Sequence, residues 1–339
     1  MPITAGFVSA HHHLNSTLAR GMPAPPTVPT SFREVLEQVW WRLEAALDLD
    51  LLRWSVLLGA VEALESGTTA IVDHHESPAE VDGSLDVIAE ACAEVGVRVV
   101  CAYSVTDRHG PAGVAAALAE NDRFLARGGR GLVGLHAAFT CSDATIESAA
   151  GLAVDHGVGV HVHVAEAPED VGEHGAERLR GFARDDWVLA HCVHLTDPMA
   201  GVVVHNPRSN LVNAVGYARP ARFDRVALGT DGIGASMLDE FALAHALHRS
   251  DATGAAPSAA WGWLEGGYAI VPEARDDEVA WSGVDRVDPG YLAFTPGGRA
   301  ERVVIDGEVV VDGGTVTKVD GERIRARAWE EAEKLWRRL

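Results

Sequence analysis

The sequence predicts an α/β protein, a (β/α)₈ TIM barrel with a small, abbreviated C-terminal β appendage. Three observations carry this prediction: eight short apolar runs, a helical stretch after most of them, and polar residues gathered where the runs end. Nearly continuous apolar strands that alternate with helices are typical of a buried parallel sheet. Eight such units favour a closed barrel over an open sheet. No GxGxxG motif follows the first run, which counts against a dinucleotide-binding fold.

The predicted elements alternate regularly along the first two thirds of the chain. Strands are predicted over 4–10, 67–73, 97–103, 131–137, 158–164, 187–191, 201–205 and 225–231. Helices are predicted over 31–46, 50–65, 85–95, 113–126, from 143 onwards, and over 238–248. Ser31 and Glu34 have the spacing of a capping box, so the first of these helices is expected to begin beside Ser31.

The alternation weakens after Asp231, which sets the predicted domain boundary. We expect the barrel to span residues 1–260, and residues 261–339 to form a small β region followed by a helix over 324–339. Within this region, 303–314 predicts a hairpin of two Val-rich runs separated by the pair Gly307-Glu308.

Composition and charge exclude several classes of partner. The chain has 339 residues, enough for one large domain, and a formal net charge of −21, which would repel nucleic acid phosphates. No apolar run is long enough to cross a bilayer, so no membrane partner is expected. The first residues lack a basic region and an apolar signal stretch, which predicts a cytoplasmic location. The sequence leaves the oligomeric state open, with a homodimer as one alternative.

The residues most informative about chemistry follow the predicted strands. Strands one, five, six and eight end at metal-binding or proton-transferring side chains: His11, His13, His163, Glu166, His191 and Asp231. The carboxyl ends of barrel strands open onto one face, so these side chains are expected to meet over the barrel mouth. Side chains at i and i+2 share one face of a strand, so His11 and His13 can bind one ion together while His12 points away.

Imidazole nitrogens with one carboxylate suit a single divalent metal ion. Zinc is the expected ion, with iron and manganese as alternatives. His161 and His163 share a strand face, and His163 is the better ligand because it lies nearer the mouth. An isolated HxH pair or a turn aspartate has ordinary structural explanations. Ligand-type residues at the ends of four different strands are much harder to explain without a metal.

Several segments resemble one family of hydrolases. AGFVSAHHHLNSTLARGM (5–22) resembles the PGxxxxHxH opening of metal-dependent amidohydrolases, and HVHVAE (161–166) resembles their HxxE segment. Residues 189–195, 203–216 and 228–232 look like later motifs of the cytosine-deaminase-like branch. GTTAIVDHHESP (67–78) and WWRLE (40–44) are most similar to SsnA-like aminohydrolases and chlorohydrolases.

The resemblance implies a site and a reaction. His11, His13, His163 and Asp231 would bind one metal ion, which lowers the pKa of bound water and so supplies a nucleophile. Asp231 would accept the proton of that water, His191 would polarise the attacking hydroxide, and Glu166 would shuttle protons to a ring nitrogen or the departing amine. The implied substrate is a small heterocycle of the purine, pterin, pyrimidine or triazine type that loses its amino group.

Other polar residues are candidates for contact with the substrate. His75, His136, Arg208 and Asn210 lie at strand ends or in the loops that follow, and we expect them to line the pocket. Capping of loops and support of the metal ligands is the alternative for all four. Trp41 and its neighbour Trp40 are expected to pack a helix or to close over the pocket.

Two further functions stay open at this point. One is a cyclic amidohydrolase or a chlorohydrolase of the same superfamily, because the ligand set serves both. The other is a catalytically silent barrel that binds a metal or a partner, which the short ends suggest and which Glu166 and His191 argue against. The chain starts almost at its first barrel strand, so only the C-terminal half of the β-sandwich usual in the family is expected.

Overall fold

The computed structural model describes residues 1–171, 175–232, 234–295 and 297–339, and it contains an eight-stranded and a five-stranded sheet. In chain order the strands are β1 (Ile3–Ala5), β2 (Phe7–His12), β3 (Thr68–His75), β4 (Arg98–Val105), β5 (Val133–Ala137), β6 (Val160–Val164), β7 (Val188–His191), β8 (Val202–His205), β9 (Val226–Leu228), β10 (Glu278–Ser282), β11 (Arg299–Ile305), β12 (Glu308–Asp312) and β13 (Thr315–Val316). The predicted fold class is confirmed.

Strands β2 to β9 are parallel and follow one another around the barrel in chain order. The ring closes where the backbone N–H of Asp231, just beyond β9, donates to the carbonyl of His11 on β2 at 3.0 Å. Small apolar side chains such as Ala10, Ala70 and Val204 are buried in two clusters formed by the strands. All eight predicted barrel strands are present, each with its C-terminal end on the same face.

The helices are α1 (Phe32–Val35), α2 (Trp41–Ala46), α3 (Leu49–Glu65), α4 (Ser84–Val95), α5 (Gly110–Ala126), α6 (Asp143–His156), α7 (Pro207–Val212), α8 (Met237–Asp251), α9 (Pro257–Glu265), α10 (Pro289–Leu292) and α11 (Gly321–Trp336). In the described part of the chain, no helix combines the length and apolarity that a membrane span requires. The predicted division at residue 260 stays a prediction.

The first predicted strand is broken in two at Gly6. A side chain at Gly6 would lie 2.1 Å from the Thr69 hydroxyl, so only glycine permits this close approach. Before the break, β1 pairs with β10 in the antiparallel sheet, whereas β2 begins the barrel. The expectation that only C-terminal residues build the appendage is therefore corrected, because the N-terminus contributes one strand.

The predicted hairpin forms between β11 and β12 with a different turn. Asp306 and Gly307 both have positive φ, 53° and 80°, and Glu308 already belongs to β12. Two consecutive residues at positive φ make the tight turn that matches the twist of a hairpin, and Asp-Gly favours it. The turn pair is thus Asp306-Gly307 and not Gly307-Glu308.

A helical segment after β2 lines one side of the barrel mouth. Ser31 accepts a hydrogen bond from the N–H of Glu34 at 3.2 Å, so the helix begins at Phe32 as the capping signal predicted. Between α1 and α2 the chain makes a π-helical turn over Leu36–Trp40. Phe32, Leu36 and both tryptophans at 40 and 41 line the cavity at the mouth, which agrees with the closing role expected of the tryptophans.

Candidate active site

Four of the predicted metal ligands come together above the barrel. Nε2 of His11 and Nε2 of His13 lie 3.5 and 3.2 Å from Oδ1 of Asp231, and Nε2 of His163 lies 3.2 Å from Nε2 of His13. Ligand atoms of the three histidines all lie within 4.8 Å of one another, a spacing that allows them to share one ion.

Unusual backbone conformations aim these side chains. His191 and Asp231 have φ values of 72° and 52°, and Ala165, between His163 and Glu166, has 45°. Non-glycine residues in this left-handed region cost about 1–3 kcal/mol each and gather at functional sites. Here they turn the chain just after β6, β7 and β9, so that the side chains lie over the mouth.

Neighbouring groups fix which ring nitrogen faces the cluster. Nδ1–H of His13 donates to the carbonyl of His74 at 2.6 Å, and Nδ1–H of His163 donates to the carbonyl of His136 at 2.7 Å. Nε2 is therefore the nitrogen of each ring that faces the cluster, as metal ligation through Nε2 requires. Nδ1 of His11, on β2, lies 2.8 Å from Nε2 of His161, on β6.

The electrostatics of the cluster fit a cation. Burial opposes ionisation of Asp231, but the adjacent imidazoles of His11 and His13 hold the pKa of its carboxyl well below the usual range. Burial opposes protonation of His13, yet the neighbouring Asp231 raises its pKa to about 9. Nε2 of His11 lies 3.5 Å from Oδ1 of Asp231 and is buried without a hydrogen-bond partner among the described residues. The position between these groups thus favours a positive charge, and one ligand atom still lacks a partner.

Two further groups face the same point. Nε2 of His191 lies 3.5 Å from Oε2 of Glu166 and 3.8 Å from Oδ2 of Asp231, while its Nδ1–H donates to Oδ1 of Asn210 at 2.8 Å. Burial lowers the pKa of His191. Burial and the nearby Asp231 raise the pKa of Glu166 well above its usual value, as a proton donor requires.

These groups open onto a cavity of about 660 Å³, measured with its open mouth, a size that suits a small-molecule ligand. We call one side of it the histidine wall, which consists of His13, His163, Glu166, His191 and Asp231, together with the fully buried His11 of the same cluster. We call a second side the acidic wall, which consists of Asn15, Trp41, Glu44, Glu76 and Ser104. Glu76 follows β3 and Ser104 lies on β4, so in the closed ring they stand across the mouth from β7 and β8.

Arg108 supports the acidic wall from behind. Its Nη2 lies 2.5 Å from Oε1 of Glu76 and 3.2 Å from Oε2 of Glu44, and its guanidinium carbon lies 4.2 Å from the centre of the Trp41 ring. Nε2 of His109 also lies 2.7 Å from Oε1 of Glu76. Burial and the neighbouring Glu76 raise the pKa of Glu44 to about 8.

Of the four residues predicted to contact the substrate, His136 lines the cavity. The structure places the other three elsewhere. His75 is fully buried and bonds the hydroxyl of Ser77 at 2.8 Å, and Asn210 is buried behind His191. Arg208 bonds Glu240 at 2.7 Å on α8. The alternative of structural support describes these three better.

Several lining residues were missed by sequence reasoning. His74, and not the expected His75, faces the cavity. The alternation of side chains along β3 does not by itself show which of two adjacent histidines points towards the cavity. Asn15, Glu44, Glu76 and Ser104 also went unnoticed. Asn15, Glu44 and Glu76 lie inside segments that carried the resemblance, which was the available signal for them.

Comparison with known proteins agrees with this geometry. A sequence profile of the amidohydrolase family matches residues 3–261. The chain is 31% identical to a 5′-deoxyadenosine deaminase of Methanopyrus kandleri, over 98% of this chain and 86% of that protein. It is 30% identical to a 5-methylthioadenosine/S-adenosylhomocysteine deaminase of Syntrophomonas wolfei, over 97% of this chain and 86% of that protein.

Solved structures share the fold. An adenosine deaminase from Xanthomonas campestris with bound zinc superposes with a TM-score of 0.85 at 21% identity, covering 98% of this chain and 85% of that one. Atrazine chlorohydrolase from Arthrobacter aurescens, complexed with zinc, gives 0.81 at 23% identity, covering 97% and 88%. With the profile match over most of its length and these relatives, the chain belongs to the amidohydrolase family.

Proposed function

We propose that the protein is a metal-dependent aminohydrolase that removes the amino group from the purine ring of an adenosine-type nucleoside. The observation that carries the proposal is the convergence of three imidazoles and Asp231 beside Glu166 and His191 in one cavity. The relatives from Methanopyrus kandleri and Syntrophomonas wolfei, both named as deaminases of adenosine derivatives, support the purine ring over pterin, pyrimidine and triazine rings.

His11, His13, His163 and Asp231 would hold one divalent ion, and zinc is the proposed metal because the two structural neighbours contain it. When bound, such an ion supplies Lewis acidity that lowers the pKa of a water molecule towards neutrality. The buried Nε2 of His11, which has no other partner, supports this ligand set.

The protein's own groups would handle the protons. Burial and the nearby Asp231 raise the pKa of Glu166, which suits this carboxyl group to donate a proton to a ring nitrogen of the substrate. Asp231 stays ionised and can accept a proton from the attacking water. His191 donates from Nδ1 to Asn210, so its Nε2 is a hydrogen-bond acceptor that orients the nucleophile between the two carboxyl groups.

Ammonia release tests this proposal directly. Zinc-loaded protein is incubated with adenosine, 5′-deoxyadenosine and 5′-methylthioadenosine, and both ammonia and the corresponding inosine-type nucleoside are measured. Glu166→Gln is expected to lower kcat about 10²–10⁴-fold, the usual contribution of a general acid–base group, while zinc content by mass spectrometry stays unchanged. Glu147→Gln, on the exposed surface of α6, is the matched control and should keep full activity.

Other outcomes point to the alternatives. Chloride release from a chlorotriazine, or ring opening of a cyclic amide, without ammonia from any nucleoside would favour the chlorohydrolase or cyclic amidohydrolase. Bound zinc without turnover of any substrate in the panel would favour a silent barrel. A cytoplasmic location, a homodimer and membership of the SsnA-like subgroup remain predictions, and each needs its own measurement.

A further inference from the structure

Apart from the histidines, the ionisable side chains among the described residues that line the cavity are all carboxyl groups. Four carboxyl side chains line it, those of Glu44, Glu76, Glu166 and Asp231, and the described lining residues include no lysine or arginine. Glu166 and Asp231 have roles in the proposed reaction. Glu44 and Glu76 have none, so their presence in the cavity needs another explanation.

The cation in contact with the acidic wall is already neutralised. Arg108 bonds both Glu76 and Glu44 through Nη2, and its side chain is 13% exposed. Its guanidinium also stacks on Trp41, which fixes its position. An anionic substrate group would have to displace a buried carboxylate to reach this charge, which carries a large desolvation cost.

The unpaired polar atoms of the acidic wall are mostly acceptors. Four side-chain atoms that line the cavity are buried without a hydrogen-bond partner in the described structure: Asn15 Oδ1, Glu76 Oε2, Ser104 Oγ and Trp41 Nε1. Two of them only accept, the serine hydroxyl accepts or donates, and the indole only donates. A hydroxyl, amine or amide can donate to such a set, whereas a carboxylate or a phosphate offers only acceptors.

The position of this wall tells which part of the substrate meets it. The reacting carbon must lie beside Asp231 and His191 on the histidine wall, because the proton-transferring groups are there. Glu76 and Ser104, at the ends of β3 and β4, stand across the mouth from His191 at the end of β7. A substituent that extends from the purine ring away from His191 would therefore meet Glu76.

We infer that the acidic wall selects nucleosides whose substituent donates hydrogen bonds and carries no negative charge, and that it rejects carboxylate and phosphate derivatives. This inference rests on the proposed nucleoside deamination. It makes Glu76 a specificity-determining residue, because its Oε1 bonds Arg108 while its buried Oε2 has no hydrogen-bond partner among the described residues.

The test uses two nearly isosteric compounds, the 5′-carboxamide and the 5′-carboxylate of adenosine. For the zinc-loaded wild type, kcat/KM for the amide is expected to exceed that for the carboxylate by about tenfold or more. Glu76→Gln removes one of the two carboxylates that bond Arg108, so the preference for the amide over the carboxylate should fall by about tenfold. Glu273→Gln removes one partner of an exposed Glu–Arg pair, with Arg130 at 2.8 Å, and should leave the preference unchanged.

Dissociation constants separate this inference from the proposed function. They are measured calorimetrically on Glu166→Gln, so they need no turnover. Equal affinity for the amide and the carboxylate, or equal kcat/KM in the wild type, would overturn the charge preference even if Glu76→Gln does not fold. Preferential binding of the amide without ammonia release from the wild type would instead overturn the deaminase proposal alone. Binding of neither compound would overturn both.

Discussion

The histidine wall and the acidic wall line the same cavity, but their charges are organised differently. On the histidine wall, carbonyls of the neighbouring strands orient the imidazoles so that their free nitrogens point to a common place. On the acidic wall, the carboxylates are turned towards Arg108 and balance their charge within the protein. The first arrangement is built to receive a cation. In the second arrangement no cation is left unpaired, so it selects against ligands that carry a negative charge.

The largest effect is expected from breaking the histidine wall at His163. His163→Ala removes one of three imidazole ligands, so zinc should be lost on dialysis and kcat/KM should fall by more than about a thousandfold. Metal content by mass spectrometry and ammonia release are the measurements. His156→Ala, which removes a surface histidine bonded to Asp122 at 2.7 Å, is the control. Full zinc content in His163→Ala would exclude this residue as a ligand.

Breaking the acidic wall at Arg108 should cost stability. Arg108→Leu leaves the buried Glu76 carboxylate without its main partner, which is expected to lower the free energy of unfolding by about 3 kcal/mol. Arg130→Leu breaks the exposed pair with Glu273 and should cost less than about 1 kcal/mol. Urea titration compares the two. Equal losses would mean that the acidic wall is no more tightly paired than the protein surface.

A smaller effect is expected from a histidine that supports the histidine wall without belonging to it. His161 contacts Nδ1 of His11 and so orients a proposed ligand without touching the ion. His161→Leu removes this contact and is expected to weaken zinc affinity about 10–100-fold. His161→Gln keeps an oxygen that accepts the same hydrogen bond and should lose less. Competition with a chromogenic chelator measures both affinities, and identical affinities in the two variants would remove the positioning role.

The histidine wall was predictable from sequence because barrel geometry brings strand ends together. The four proposed ligands are far apart in the chain, but each lies at the end of an apolar strand: His11, His13, His163 and Asp231. That pattern can be recognised in the sequence. The left-handed conformation of Asp231 was not predictable, although it turns this ligand over the mouth.

The acidic wall was not predictable because it comes from loops and a helix as well as strand ends. Glu44 lies on α2, and its place beside Glu76 depends on how the helical segment of residues 32–46 folds over the mouth. Arg108 lies beyond β4, in a turn whose path no periodicity encodes. His75 was chosen over His74 for a similar reason, since a one-residue difference in register exchanges the two faces of a strand.

The hydrogen bond that closes the barrel has a consequence for metal binding. It joins the backbones of His11 and Asp231, the same two residues whose side chains converge on the cluster. An ion held by both side chains would therefore also clamp the first barrel strand to the last. Closure of the barrel between its first and last strands and binding of the ion are thermodynamically linked, so each stabilises the other.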